Sequence, residues 1–281
     1  MAGKNKVKIG LALGGGASRG IAHIAMLEAF DELGIKPSLV VGCSIGALIG
    51  AAYAGGMTGA EIREHTLQVL SNRINLARHI FGSKRVRLKD MFAISGLRSL
   101  HLEGRKLADV FIPNHLPKML EDCLIPFKVI ATDYDYLEEV AFTTGSLLDA
   151  VGASIAIPGL IAAPRINGRL HLDGSLKNPV PFDQAREGND FVVAIDVTGR
   201  PRSSETRNPS NLELAIGSVL IMTRELAEQR RKHLPPEIYM TPAVDHFGSG
   251  DFLRVREILK AAEPTKDELK RALALRIDAA G

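Results

Sequence analysis

The chain has 281 residues, enough for one large domain or two small ones, and its 46% hydrophobic and 24% charged content is that of an ordinary soluble globular protein. A formal net charge of +3 is too small to argue for nucleic acid as a partner and is compatible with weak attraction to anionic surfaces. The cysteines, Cys43 and Cys123, make no disulfide framework and fit a reducing compartment. The N-terminal residues run straight into a strand pattern without an apolar signal segment, so the expectation is a cytoplasmic protein.

In chain order, Val7 to Leu13 reads as an apolar strand that ends in Gly14-Gly15-Gly16-Ala17-Ser18-Arg19-Gly20. Ile21 to Leu33 has helical spacing, with Gly34 as its stop. A second strand, Ser38 to Val41, leads into Gly42-Cys43-Ser44-Ile45-Gly46 and a small-residue helix to Tyr53. Strand, helix, strand, helix implies a parallel sheet covered on both faces. A helix follows from Thr58 to about Ser71. The stretch from Arg73 to Arg105 has no period; its Lys84, Arg85, Arg87 and Lys89 among apolar residues read as a solvated basic loop or as a lid at an interface. Leu107–Leu116 and Lys118–Cys123 look like short helical pieces, and Pro126–Thr132 and Glu139–Thr144 like a strand hairpin. Ser146 caps a helix to Ser154 that Ile157-Pro158-Gly159 breaks. Asn167-Gly168 is a tight turn before the short strand Arg169–Leu172, which delivers Asp173-Gly174-Ser175. Phe191–Val197 reads as a central strand, Arg200–Asn211 as a loop, Leu212–Lys232 as a long amphipathic helix, Glu237–Thr241 as a last strand, and the rest from Gly250 as two helices. The basic Arg230, Arg231 and Lys232 at the end of the long helix suit its dipole, with contact to anionic lipid as the other reading.

The stretch around Ser44 carries the chemistry. G-x-S-x-G between a strand and a helix places a serine on a sharp, strained turn, where side chains at positions 42 and 46 would collide with backbone. The turn lifts the hydroxyl out of the sheet and aims the positive helix end at an anion forming there. The uncharged run from Pro37 to Ala60 also admits a membrane span, but its glycines and its β-branched front favour a buried strand and helix. The loop Gly14-Gly15-Gly16 offers backbone N–H groups for an oxyanion hole, with Arg19 adding positive charge. As a nucleotide cradle it lacks the Lys-Ser/Thr of a P-loop and the third glycine of a dinucleotide fingerprint. For the base, His23 and His171 read as structural, and His233 and His246 as late histidines without local support. Asp173, at a strand end before Gly174, is a carboxylate able to meet Ser44 across the top of the sheet, or an ordinary turn aspartate. Cys43, inside the turn, is expected to point into the core.

The blocks Leu13-Gly-Gly-Gly-Ala-Ser-Arg-Gly-Ile-Ala-His23, Gly42-Cys-Ser-Ile-Gly46, and Ala153-Ser-Ile-Ala-Ile-Pro-Gly159 leading to Leu172-Asp-Gly-Ser-Leu-Lys-Asn-Pro-Val180 resemble, in order and spacing, the patatin-like phospholipase family, specifically its compact bacterial members. The resemblance covers about residues 7–200; Asp251-Phe252 before a helix is similar but less diagnostic. It implies a three-layer α/β/α fold with a mainly parallel sheet, a catalytic core over residues 1–200 and a helical extension over 201–281 packed on the same domain. It also implies a Ser–Asp dyad without histidine: Ser44 as nucleophile, Asp173 as base, Gly14, Gly15, Gly16 and Arg19 at the oxyanion hole, Gly42 and Gly46 at the nucleophile turn, and Ser154 and Gly174 in support. The expected reaction is hydrolysis of lipid esters, phospholipid or lysophospholipid, through an acyl-serine, without metal or cofactor and with contact to the membrane surface. Oligomeric state stays open. Two departures stand out: Ala17 and Ser18 both precede the arginine, and Ser175 follows Gly174 where the family has Gly or Ala. A hydroxyl at 175 could hydrogen-bond Asp173 and alter its basicity. The departure motivates the alternative of a catalytically weak regulatory or binding protein on the same fold.

Overall fold

A computed structural model describes residues 7–71, 102–200 and 211–280. The first strand, β1 (Ile9–Leu13), leads through a 3-10 turn (Ala17–Ala22) into α1 (His23–Glu32), then β2 (Leu39–Cys43), α2 (Ile45–Ala54) and α3 (Gly59–Ser71). After β3 (Leu102–Glu103) and α4 (Gly104–Phe111) come β4 (Phe127–Asp133), β5 (Glu138–Phe142) and α5 (Leu147–Ser154). The short β6 (Ile161–Ala162) and β7 (Arg165–Ile166) precede β8 (Arg169–Asp173) and β9 (Phe191–Ile195). The chain ends with α6 (Asn211–His233), β10 (Ile238–Met240) and α7 (Val255–Ala280).

The main sheet runs β10-β9-β1-β2-β4-β8-β7, with β5 on the second edge of β4. The pairs from β10 to β4 are parallel; β5, β8 and β7 join antiparallel. Both faces are buried, as the continuous apolar runs of the parallel strands require. Ile9, Leu11, Leu13, Val40 and Val193 share one core with α1, α2 and α7, whereas Ala12, Val41 and Ala194 share the other with Phe182 and Ala227 of α6.

Several elements differ from the sequence expectation. The two C-terminal helices are one, α7, which continues through Pro264. Proline removes one backbone hydrogen bond, and the buried face formed by Ile258, Leu259, Ala262, Leu269 and Leu273 overrides it. The piece expected over Leu107–Leu116 is α4, which stops before Pro113, and Lys118–Cys123 holds only a 3-10 turn, Leu120–Asp122. Strand β9 is interior, between β1 and β10, but one place from the sheet edge. Beyond residue 200, β10 extends the sheet and α7 packs on α1. The basic stretch read over Arg73–Arg105 lies almost wholly outside the described residues, as does the loop read over Arg200–Asn211.

An ionic cluster ties α1, α3 and α7 together. Arg63 donates through Nε and Nη2 to the two carboxylate oxygens of Glu28, each at 2.5 Å, and through Nη2 to Glu263 at 2.8 Å. Lys266 adds contacts to Glu28 at 3.3 Å and Glu32 at 2.6 Å. Burial alone would raise the Glu28 pKa; the hydrogen bonds and charge of Arg63, with Lys266, outweigh it and hold the carboxyl below its ordinary value. A depressed carboxylate contributes stability above its unfolded pKa of about 4.3, lost as pH falls through the folded value. Glu28→Gln is therefore expected to cost about 1–3 kcal/mol at neutral pH. The gap to wild type should close in acid, below about pH 4; urea unfolding at both pH values checks it.

Candidate active site

The meeting of Ser44 with Asp173 follows from how strands share β4. Strand β5 occupies one edge of β4, opposite Val129 to Asp133. On the other edge β2 pairs in parallel up to Cys43 opposite Ile130, and β8 pairs antiparallel from Asp133 back to Asp173 opposite Ala131. Two strands running in opposite directions thus end at adjacent positions of one edge. The residue after β2 is Ser44, and the last residue of β8 is Asp173. The Ser44 hydroxyl donates to Asp173 Oδ2 at 2.6 Å. The Ser175 N–H donates to Oδ1 at 2.8 Å. The Asp173 backbone is held at both ends, its N–H donating to Ala156 O at 3.0 Å and its carbonyl accepting from Thr132 Oγ1 at 2.9 Å. Ser154 braces the other side: its Oγ accepts from Ser44 N–H at 2.8 Å and donates to Ile130 O at 2.6 Å.

Ser44 itself has φ 53° and ψ −123°, a region that non-glycine residues adopt at a cost of about 1–3 kcal/mol. Glycines make the turn sterically feasible. A Cβ on Gly46 would lie 2.1 Å from Leu13 O, and one on Gly42 2.5 Å from Ala47 Cα. Gly174 lets β8 approach β4, since a Cβ there would meet Ile130 O at 2.2 Å. All ten residues of α2 are buried. The uncharged run from Pro37 is thus a strand, a turn and a short core helix, and among the described residues no helix is long and apolar enough to cross a membrane.

Burial pushes the Asp173 carboxyl above the ordinary aspartate range, against the pull of the hydrogen bonds from Ser44 and Ser175. Burial and the charge of Asp173 push the Cys43 thiol well above its ordinary value, so it holds its proton in the core. Among the described residues no histidine hydrogen-bonds Ser44 or Asp173. His171 contacts Arg169 O, and His246 packs against Phe247. His23 is wholly buried, and burial lowers its pKa to about 4. As the neutral ring it donates from Nε2 to Gly14 O at 2.8 Å, which holds the glycine loop.

That loop is organised differently from the sequence expectation. Gly14 N–H donates to Ile195 O at 3.0 Å and Gly15 N–H to Pro179 O at 2.8 Å, so neither is free for an anion. Gly16 N–H has no acceptor among the described residues, and Gly16 lines the same cavity as Ser44. Arg19 is fully buried, and its guanidinium donates to Val197 O, Thr198 O and Phe247 O at 3.2, 2.7 and 3.0 Å. It clamps the loop to the strand end beyond β9 and to the segment before α7. Ser18 joins the clamp, its Oγ donating to Gly248 O at 2.7 Å. The two residues that separate the last loop glycine from the arginine therefore sit within a tie to the C-terminal region.

Ser44 and Asp173, 5% and 4% exposed, form part of the wall of a cavity of about 350 Å³. Ile49, Ile62, Leu70, Leu107 and Leu160 make its lining largely apolar. Sequence reasoning missed one wall, supplied by Ala215, Ile216, Val219, Leu220 and Thr223 of α6. The signal was present as an uncharged stretch over residues 214–223. Arg230 and Arg231 at the far end of α6 are engaged within the chain, with Asp183 at 3.1 Å and Glu228 at 2.9 Å.

The clamp makes a test of Arg19. Removing it leaves three buried carbonyls without donors, so Arg19→Ala is expected to lose about 3 kcal/mol or more of stability. Denaturant unfolding checks this; unchanged stability with a selective loss of turnover would instead mean that the charge acts on the reacting group.

A model of the patatin-like phospholipase family matches residues 11–186. An NTE family protein of Mycobacterium tuberculosis is 32% identical over 199 residues, 70% of this chain and 51% of that protein. Lysophospholipase NTE1 of Cryptococcus neoformans is 32% identical over 192 residues, 68% of this chain and 11% of that protein. The matched region thus spans about half the length of the mycobacterial relative. Among solved structures, VipD of Legionella pneumophila aligns with a TM-score of 0.50 at 14% identity, over 95% of this chain and 67% of that one, a likeness of fold. The three glycine, serine and aspartate blocks fall inside the matched stretch, and the chain belongs to the patatin-like phospholipase family.

Proposed function

We propose that this protein is a serine acyl hydrolase that cleaves the carboxylic ester bond of lipids, with Ser44 as nucleophile and Asp173 as general base. The observation that carries the reading is the 2.6 Å hydrogen bond from the Ser44 hydroxyl to a buried carboxylate at the wall of an apolar cavity. A serine hydroxyl is a weak nucleophile until a base within hydrogen-bond reach takes its proton. A carboxylate whose pKa burial has raised is a better base near neutrality than an exposed aspartate.

The reaction has two steps. Asp173 accepts the Ser44 proton as Oγ adds to the ester carbonyl. The tetrahedral oxyanion takes hydrogen bonds from Gly16 N–H and from the N-terminus of α2, where the Ile45 N–H has no helical acceptor. The proton passes to the departing alcohol, leaving acyl-Ser44. Water then attacks the acyl group, again with Asp173 as base, and releases the fatty acid. The cavity is largely apolar, as an acyl chain requires. The lysophospholipase named among the relatives favours a singly acylated substrate. Ser175 fits the enzyme reading better than that of a catalytically weak protein, because its hydroxyl lies 3.4 Å from Cys43 Sγ and the Ser44 contact with Asp173 is in place beside it.

Ser44→Ala and Asp173→Asn are each expected to abolish hydrolysis of a lysophospholipid while the protein stays folded. Intact mass after fluorophosphonate treatment should show one adduct on wild type and none on Ser44→Ala; an adduct on both would place the reactive group elsewhere. The base must be ionised, so kcat/KM falls as pH drops through the Asp173 pKa. The midpoint of that acid limb is expected above the ordinary aspartate value of about 3.9. A pH profile with a water-soluble ester measures it.

A further inference from the structure

We propose that the uncharged half of α6, residues 214–222, is the surface by which this protein docks onto a zwitterionic lipid bilayer. From 214 to 222 the helix carries no charged side chain, and the polar Ser218 spends its hydroxyl on Leu214 O at 2.8 Å. The segment is apolar on two opposite faces. Ala215, Ile216, Val219 and Leu220 face the cavity that holds Ser44. Leu214, Ile221 and Met222 face outward and are 53%, 59% and 61% exposed. None of the residues 214–222 is buried. The second half of the helix is the anchored one: Ala227 is buried, Arg224 lies 3.6 Å from Asp245, and Arg230 lies 3.1 Å from Asp183.

A helix apolar all round belongs in apolar surroundings on both sides. The outward side chains offer only on the order of a few hundred Å² of apolar surface. That is short of the roughly 800 Å² per partner a stable protein interface buries, whereas a bilayer interface accepts so small an area, since a helix lying in it sinks only its apolar face. The nine residues rise only about 14 Å, less than half of a hydrocarbon core of about 30 Å, so the segment rests in the interface and does not cross it. The lack of charge selects a zwitterionic surface. The placement also gives the docking a purpose, which rests on the lipid-ester reading above: the helix face opposite the bilayer is a wall of the cavity, so an acyl chain passes along α6 towards Ser44.

Flotation of the full chain with phosphatidylcholine vesicles tests this. Wild type should float with the vesicles, equally at low and high salt, because no charge is involved. Ile221→Asp with Met222→Asp, and separately Leu214→Glu, should each lower the partition coefficient at least about tenfold. These side chains are exposed and lie outside the cavity lining, so hydrolysis of p-nitrophenyl butyrate and the melting temperature should be unchanged. Equal flotation of wild type and variants would overturn the proposal. So would a wild type that does not float; if it then sediments as a dimer that the variants dissociate, a second copy covers this face. If neither protein hydrolyses the soluble ester while the flotation difference holds, the docking surface stands and the hydrolase reading fails.

Discussion

One edge of β4 is the constraint on which the site depends. A strand offers its neighbour a continuous row of hydrogen-bonding groups, and here two strands divide that row between them. Strand β2 arrives with the direction of the parallel sheet and β8 against it, so their ends are brought face to face without any loop having to reach. The separation of the two side chains is then a matter of backbone register. The hydroxyl and carboxylate belong to residues 129 positions apart, yet Cys43, just before the serine, pairs with Ile130 of β4 and Asp173 with the next residue, Ala131.

Holding that contact is costly, and the surroundings show how the cost is met. Ser44 sits in a strained backbone conformation, and Asp173 keeps a carboxylate in a buried place where burial disfavours its charge. Several nearby groups that could loosen the arrangement are tied down instead. Ser154 bridges Ser44 N–H to Ile130 O, Thr132 and Ala156 hold the Asp173 backbone, and the neutral His23 holds the glycine loop. The polar groups around Ser44 and Asp173 are thereby pre-oriented, which is the condition for electrostatic stabilisation of a developing charge in the proposed reaction.

The C-terminal third belongs to this site as well as to the sheet. The buried Arg19 guanidinium ties the glycine loop to carbonyls at Val197, Thr198 and Phe247, so the loop beside Ser44 is braced by chain segments far apart in sequence. Helix α6 supplies a cavity wall, α7 packs on α1, and the Glu28–Arg63–Lys266 cluster joins α7 to α3. The geometry on which the proposed chemistry rests thus draws on both the N-terminal and the C-terminal parts of the described residues.

The serine turn was legible from residues 38–53 alone, because a strained strand-to-helix turn needs glycine on both sides of its serine and an apolar strand and helix to bury, and these are local demands. The capped helix after Ser146 and the Asn167-Gly168 hairpin were legible for the same reason: a side-chain cap three residues away decides the one, and two adjacent residues that accept positive φ decide the other. Asp173 was visible as a strand-end carboxylate, but its partner depended on which edge of β4 its strand would take. Arg19 reads in sequence as a free positive charge; only the packed chain shows carbonyls from three distant residues closing around it. The two helices read from Gly250 onward are one, because the core contacts of α7 carry it through Pro264. The apolar half of α6 was written in the sequence as composition, and the cavity on one of its faces only in space. Local conformation and residue chemistry were therefore determined by sequence alone. Which groups meet was decided by the tertiary structure, because a hydrogen bond or a buried charge is satisfied by whatever the fold brings within about 3 Å, and sequence distance does not enter into it.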